Sequence, residues 1–140
     1  AWDGYPAQQA RVLGELATAP SLPVVVTGDT HSSLVFDLPG PGYDASTQLG
    51  STGVEWGAPP LASPHLTGEE SRARERLLLE STPHLRWTEQ EAKGWLLLDL
   101  DRDRARAEWW FIADATRAEV RSSRSVNMLP RASGQSRMCK

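Results

Sequence analysis

The stretch from Val24 to Ser33 has the sequence VVVTGDTHSS and predicts a buried strand that runs directly into a polar loop. Three consecutive valines do not alternate with polar residues, which is typical of a strand buried on both faces in the middle of a layered α/β sheet. In open α/β sheets, ligands bind outside the carboxyl ends of the strands. The loop that follows Thr27 is therefore the first candidate for a functional site.

Asp29 and His31 are the residues of this loop with the chemistry to bind a metal ion. Carboxylate oxygen and imidazole nitrogen are ligands for hard and borderline ions. In extended backbone, residues two apart point the same way and lie about 6–7 Å apart, which suits two side chains that converge on neighbouring ions. Ser32 could offer a hydroxyl or N–H group to a phosphate oxygen. The alternative, which the pattern leaves open, is that Asp29 caps the next turn and His31 is an ordinary loop residue.

Signals on either side of the loop predict an α/β or α+β domain. A helix is expected from Pro6 to Ala17, because proline suits the first helical position and apolar residues recur on one face. Residues 39–64 are rich in Pro, Gly and Ser and predict mostly loop, with a short strand at 53–56. Thr67 and Glu70 have capping-box spacing, which predicts a helix that runs to about residue 80.

Two strands, at residues 95–100 and 105–112, are predicted to form a β-hairpin, with Ala107, Trp109 and Phe111 on one face of the second. From residue 117 the chain is polar and basic, with five arginines and one lysine against one glutamate. Such a tail is expected to be poorly ordered. We therefore divide the chain into a domain of residues 1–116 and a basic tail of residues 117–140.

Charge and composition argue against several classes of protein. The net charge is −3 and the tail carries +5, so the residues before 117 carry −8, a charge that would repel nucleic acid. No apolar run approaches the roughly 20 residues that cross a bilayer. The single cysteine, Cys139, cannot form an internal disulfide. The chain begins with Ala1 and has no signal peptide, so we expect it to start within a longer protein.

Five stretches, from about Trp2 to Ala115, have the order and spacing of a known family. They are, in chain order, Trp2-Asp3-Gly4-Tyr5; the strand at 23–33 that ends in G-D-x-H-x-S; Gly53-Val54-Glu55-Trp56; Pro83-His84-Leu85-Arg86-Trp87; and the hairpin runs 94–99 and 107–111. Together they resemble the alkaline phosphatase D (PhoD-like) family of metal-dependent phosphatases. Thr82 departs from the pattern, since asparagine is usual there.

The resemblance implies hydrolysis of phosphate mono- or diesters at a multinuclear site, within a layered β-sandwich flanked by helices. Iron and calcium are the ions it implies, with other divalent metals possible. It makes Asp29 and His31 metal ligands, and Trp2 and Ser32 candidates to contact the substrate. His84 becomes a candidate catalytic residue that contacts phosphate or donates a proton to the leaving group. Trp2 is also a candidate core aromatic, and His84 a candidate structural histidine.

Two further residues receive structural interpretations. Glu55 is expected to be a hydrogen-bonded structural carboxylate, and His65, which matches no family stretch, a surface loop residue. The other ligand-bearing motifs of the family lie before W-D-G-Y. The chain is therefore expected to need the missing N-terminal part of the same domain and to be inactive alone. Export to the periplasm or the outside of the cell is suggested by the family.

Two other functions remain open at this point. One is a non-catalytic, Trp-rich α+β module that binds a partner or nucleic acid through the hairpin and the basic tail. The other is a metal hydrolase assembled from two copies of the chain. Metal binding separates the first alternative from a phosphatase, because a binding module would take up no iron or calcium.

Overall fold

The computed structural model describes residues 4–113 together with the backbone of residues 122–130 and 136–139. Two four-stranded sheets and two helices make up these residues. The elements are α1 (Pro6–Ala17), β1 (Val24–Thr27), β2 (Ser33–Asp44), β3 (Leu49–Gly57), α2 (Gly68–Ser81), β4 (Leu85–Glu89), β5 (Gly94–Leu100), β6 (Ala105–Ile112), β7 (Ser122–Pro130) and β8 (Ser136–Cys139). The predicted mixed α/β fold with a hairpin is confirmed. Neither helix is long and apolar enough to cross a membrane.

The first sheet has the strand order β1-β3-β2-β4, with β1 parallel to β3 and the other pairs antiparallel. Within the described residues β1 is thus an edge strand, and Val26 is 50% exposed. The described residues thus do not show the predicted central strand buried on both faces. A run of β-branched residues indicates a strand, but it does not reveal whether neighbours cover both edges of that strand.

The prediction that residues 39–64 are mostly loop was wrong, because the end of β2 and all of β3 lie there and pair as a hairpin. Strand β2 extends to Asp44 and β3 begins at Leu49. Pro39 is tolerated because β4 pairs with β2 only from Ser33 to Phe36, so the missing N–H faces no partner strand there. Any side chain at Gly40 would collide with Thr52 across the hairpin. Glycine therefore marks a close approach of two strands.

Both predicted helices are confirmed, and their ends agree with the sequence to within about one residue. Thr67 is the N-cap of α2, as predicted, but its side chain makes no capping hydrogen bond. Gly68 follows it with a φ of 64°. This left-handed residue changes the angle at which the backbone enters the helix, so the capping-box geometry does not form.

The two sheets pack face to face around an aromatic core. Trp56 from the first sheet and Trp109 from the second are both fully buried, and their rings meet edge to face with centroids 6.4 Å apart. The predicted inward face of β6 is confirmed, since Ala107, Trp109 and Phe111 are all buried. The indole N–H of Trp109 donates to the carbonyl of Gly57 at 2.9 Å. Because Gly57 pairs with Thr27 and with Leu34, this bond anchors both ends of the loop of residues 28–32.

A buried ion pair joins β2 to β4. Asp37 is fully buried and lies 2.5 Å from the guanidinium of Arg86, whose side chain is 14% exposed. The hydroxyl of Tyr43 donates to the same carboxylate at 3.1 Å. Burial and the nearby Asp37 charge raise the pKa of Tyr43, so its hydroxyl stays protonated and can donate. The cluster is structural, because all three groups use one another as partners.

Within residues 117–140, which the sequence predicts to be poorly ordered, the structure has two strands. Strand β7 pairs with β6, and β8 pairs with β7. The polar composition of β7 conceals this pairing, since what drives it is the open edge of β6 rather than an apolar pattern. Residues 114–121, 131–135 and 140 lie outside the described residues, and the division of the chain at residue 116 stays a prediction.

Candidate functional site

The loop of residues 28–32 lies at the carboxyl end of β1. Asp29 and His31 have φ angles of 71° and 56°, both in the left-handed region that residues other than glycine seldom adopt. The amide of Thr30 donates to the carbonyl of Gly28 at 2.9 Å, which closes the turn. Strained backbone of this kind is concentrated at functional sites. The loop keeps Asp29 and His31 exposed instead of packing them.

The extended geometry expected for Asp29 and His31 is not what the structure has. Strand β1 ends at Thr27, and both residues turn in the left-handed conformation. The alternation of a strand therefore does not apply to them. A tight turn with Thr30 between two left-handed residues presents them instead.

The tautomer of His31 follows from its hydrogen bond. Its Nδ1 lies 2.8 Å from the carbonyl oxygen of Pro64. A carbonyl can only accept, so Nδ1 carries the proton, and in the neutral ring the lone pair is then on Nε2. Histidines that bind metals commonly donate their other ring N–H to a carbonyl or carboxylate, which fixes the orientation of the ring. His31 thus has the tautomer that a metal ligand needs.

Asp29 provides the second candidate ligand. Its carboxylate is exposed and accepts no hydrogen bond and joins no ion pair within the described residues. Those residues also contain no cluster of three or more His, Cys, Asp or Glu side chains that could hold an ion without help. The loop therefore offers one carboxylate and one imidazole.

A cavity of about 310 Å³ opens beside the loop. Four parts of the chain line it: Thr30 and His31 from the loop, Pro64, His65 and Leu66 before α2, Arg74 from α2, and Gln90 after β4. His65, which we expected to be a surface loop residue, is half-buried in this wall. The sequence does not indicate Arg74 or Gln90, because no local pattern distinguishes Arg74 from Arg72 and Arg76 on the same helix.

The other predicted residues of the loop region are placed differently. Ser32 is buried, and its hydroxyl lies 3.4 Å from the carbonyl of Thr30, so it faces into the loop and does not line the cavity. Glu55 accepts a hydrogen bond from the hydroxyl of Thr27 at 2.9 Å, which confirms it as a hydrogen-bonded carboxylate. Trp2 lies outside the described residues. The substrate contacts of Trp2 and Ser32 stay predictions.

His84 is half-buried immediately before β4. Its ring packs against Phe36 with centroids 5.6 Å apart, and its carbonyl accepts the amide of Asp37 at 2.9 Å. Burial, together with the nearby Arg86 charge, lowers the pKa of His84. His84 is not among the residues that line the cavity. These contacts are those of a residue that orders the start of β4, and its catalytic role stays a prediction.

The lowered pKa of His84 predicts a dependence of stability on pH. The unfolded chain takes up a proton on this histidine below about pH 6.5, whereas the folded chain does so at lower pH. The contribution is therefore fully present above pH 6.5 and is lost as the pH falls through the folded pKa. As the pH is lowered, the free energy of unfolding measured in urea should fall less steeply for His84→Asn than for the wild type. Equal slopes would contradict this account.

A family model described as PhoD-like phosphatase matches residues 1–109. A solved structure described as "Structure of PhoD" has the same fold, with a TM-score of 0.81 at 20% sequence identity. The match covers 100% of this chain and 26% of that one, so the chain spans about a quarter of its length. No curated protein matches the chain significantly.

Proposed function

Because the chain belongs to the PhoD-like phosphatase family, we propose that it contributes Asp29 and His31 to a metal site that hydrolyses phosphate mono- or diesters. The observation that carries the proposal is the loop of residues 28–32. Two left-handed residues there expose a carboxylate that has no partner among the described residues and an imidazole whose Nδ1 is already bonded. An exposed carboxylate that pairs with none of the described residues contributes little to the fold, which favours a binding role for Asp29.

The donor set fits the proposed metals. Imidazole nitrogen suits iron, and carboxylate oxygen suits both iron and calcium. Nε2 of His31 makes no hydrogen bond among the described residues, and the carboxylate of Asp29 is exposed, so neither ligand must first break a contact there. When bound, the ions would neutralise the charge of the phosphate and favour hydroxide over water. The part of this chain is to hold and orient the ions.

We propose that the chain supplies part of the site, with other ligands from a longer PhoD-like polypeptide that contains it, and that it is inactive alone. Two-metal sites need more ligands than one carboxylate and one imidazole. The small share of the solved PhoD structure that the chain covers supports this division. The bond from His31 to Pro64 would keep the imidazole oriented while the site assembles.

Hydrolysis of chromogenic phosphate mono- and diesters tests the proposal, in the longer polypeptide with iron and calcium added. Asp29→Asn should lower the rate by about 100-fold, because asparagine tolerates the left-handed backbone but lacks the charge. Asp44→Asn is the matched control, since Asp44 is also exposed and its carboxylate bonds within its own turn, to Ser46 and Thr47. It should change the rate by less than about twofold. Equal effects of the two variants would refute the role of Asp29.

A further inference from the structure

Five of the seven described residues that line the cavity beside His31 carry side-chain hydrogen-bond donors, and none of the seven carries a carboxylate. Arg74 contributes a guanidinium, and His65 and Thr30 add an imidazole and a hydroxyl. None of the seven lining residues is Asp or Glu, although acidic residues outnumber basic ones in the chain. The local chemistry therefore favours an anion where the chain as a whole does not.

Arg74 differs from its neighbours on α2 in having no partner. Arg72 and Arg76 both bind Glu69, at 3.1 and 2.8 Å. Arg74 forms no ion pair or hydrogen bond within the described residues, and a position two residues along a helix points to the opposite side from its neighbours. Its guanidinium keeps the planar set of donors that binds a carboxylate or phosphate through two parallel bonds.

The walls of the cavity are held in place by bonds among themselves. Gln90 is buried and donates to Thr88, whose hydroxyl donates to the carbonyl of Ser33 at 2.9 Å. On the opposite side, Nδ1 of His31 donates to Pro64. An anion that enters would meet donors on helix α2 and on two tethered loops. Binding would therefore cost little conformational entropy.

We infer that this cavity is a second anion subsite, which binds a phosphate or carboxylate on the leaving group of the substrate. Its position next to His31 places that group beside the ester that is cleaved, and this part of the inference rests on the proposed function. The volume of about 310 Å³ lies at the lower end for small-ligand sites. It suits one anionic group with part of its carbon skeleton. The substrate class is thus a phosphate ester with a second negative charge.

Anion binding by the 140-residue chain in the presence of a chelator tests the subsite without any hydrolysis. Inorganic phosphate should shift the NMR signals of residues that line the cavity. A parallel titration with acetate tests whether the cavity also binds a carboxylate. Arg74→Ala should weaken the binding by about tenfold or more, because a charge-assisted pair of hydrogen bonds is lost. Arg76→Ala removes the same charge from the same helix and should change it by less than about twofold. No shift in the wild type, or equal losses in both variants, would overturn the inference.

A matched pair of substrates tests the specificity in the longer polypeptide. Phenyl phosphate and 4-carboxyphenyl phosphate differ by one carboxylate. Arg74→Ala should lower kcat/KM about tenfold for the carboxylated ester and less than twofold for phenyl phosphate. Equal losses on both esters would overturn the specificity role. If neither ester is hydrolysed by the metal-loaded wild type, the proposed function fails, and the phosphate titration still decides whether the subsite exists.

Discussion

Replacing His31 with alanine is expected to lower metal-dependent hydrolysis by the longer polypeptide at least 100-fold. Loss of a group that only supports a metal ligand costs about 10–100-fold, and loss of the ligand itself should cost more. His31 is the described residue whose Nδ1 is fixed by a carbonyl while Nε2 remains available beside a cavity. The measurement is the rate with chromogenic esters, with metal content determined on the same samples.

A second variant separates metal binding from the tether to Pro64. The side-chain amide of His31→Asn can still donate to the Pro64 carbonyl, and asparagine tolerates the left-handed φ of 56°. The asparagine side chain has no counterpart of the Nε2 atom of histidine. If His31 binds a metal, His31→Asn should be as inactive as His31→Ala. Recovery of activity in His31→Asn would show that the histidine acts only as a tether.

Trp109→Ala is expected to destabilise the fold by about 3–5 kcal/mol, the usual cost of removing a buried tryptophan. Trp109 is fully buried, meets Trp56 and Trp87 edge to face, and donates to the carbonyl of Gly57. The variant would lose all of these contacts and leave a large cavity between the sheets. Such a loss is comparable with the whole stability of a marginal domain.

Two matched tryptophan variants make this expectation specific, with urea unfolding as the measurement. Trp95 stacks on Trp110 on the outer face and is 39% exposed, so Trp95→Ala should cost about 1 kcal/mol. Trp109→Phe keeps most of the apolar volume but not the bond to Gly57, and should cost about 1–2 kcal/mol. If Trp95→Ala destabilised as much as Trp109→Ala, the core would not lie where the structure places it.

The positions of these aromatic residues also bear on the Trp-rich binding module. Trp87 and Trp109 pack against each other with centroids 5.4 Å apart, and Trp56 is fully buried beside them. The stacked pair of Trp95 and Trp110 is the part of this set that faces outward. Of the three tryptophans in the β5–β6 hairpin, Trp109 is occupied in the core, as the alternation of β6 predicted, whereas Trp95 and Trp110 face outward, so the binding-module alternative stays open.

Local sequence patterns predicted the start of α1 and the buried face of β6, because both features depend on residues that are neighbours in the sequence. Pro6 at the first helical position marked the start of α1, and alternation around Trp109 marked the buried face of β6. Pairing between distant segments could not be read in the same way. Pro39 indicates loop by composition, and only the short reach of β4 makes it acceptable in β2. The exposure of Val26 likewise depends on which strands lie beside β1.

The candidate site likewise has features that local sequence patterns indicate and features that depend on distant segments. Asp29 and His31 could be proposed as metal ligands from the sequence because they lie close together after a strand. The resemblance to PhoD-like phosphatases supported that proposal. Their left-handed backbone could not be predicted, since neither is glycine. Arg74 and His65 reach the cavity through the placement of α2 and of the loop before it. No periodic pattern in the sequence indicates that these residues come together.

Anomalous diffraction from crystals of the longer polypeptide, grown with iron and calcium, tests the central claim most directly. The account predicts an anomalous peak within bonding distance of Nε2 of His31, with the carboxylate of Asp29 bound to the same ion or to its neighbour. Nδ1 should remain bonded to the carbonyl of Pro64. An active, metal-loaded enzyme in which Asp29 and His31 both lie free of any ion would contradict the account.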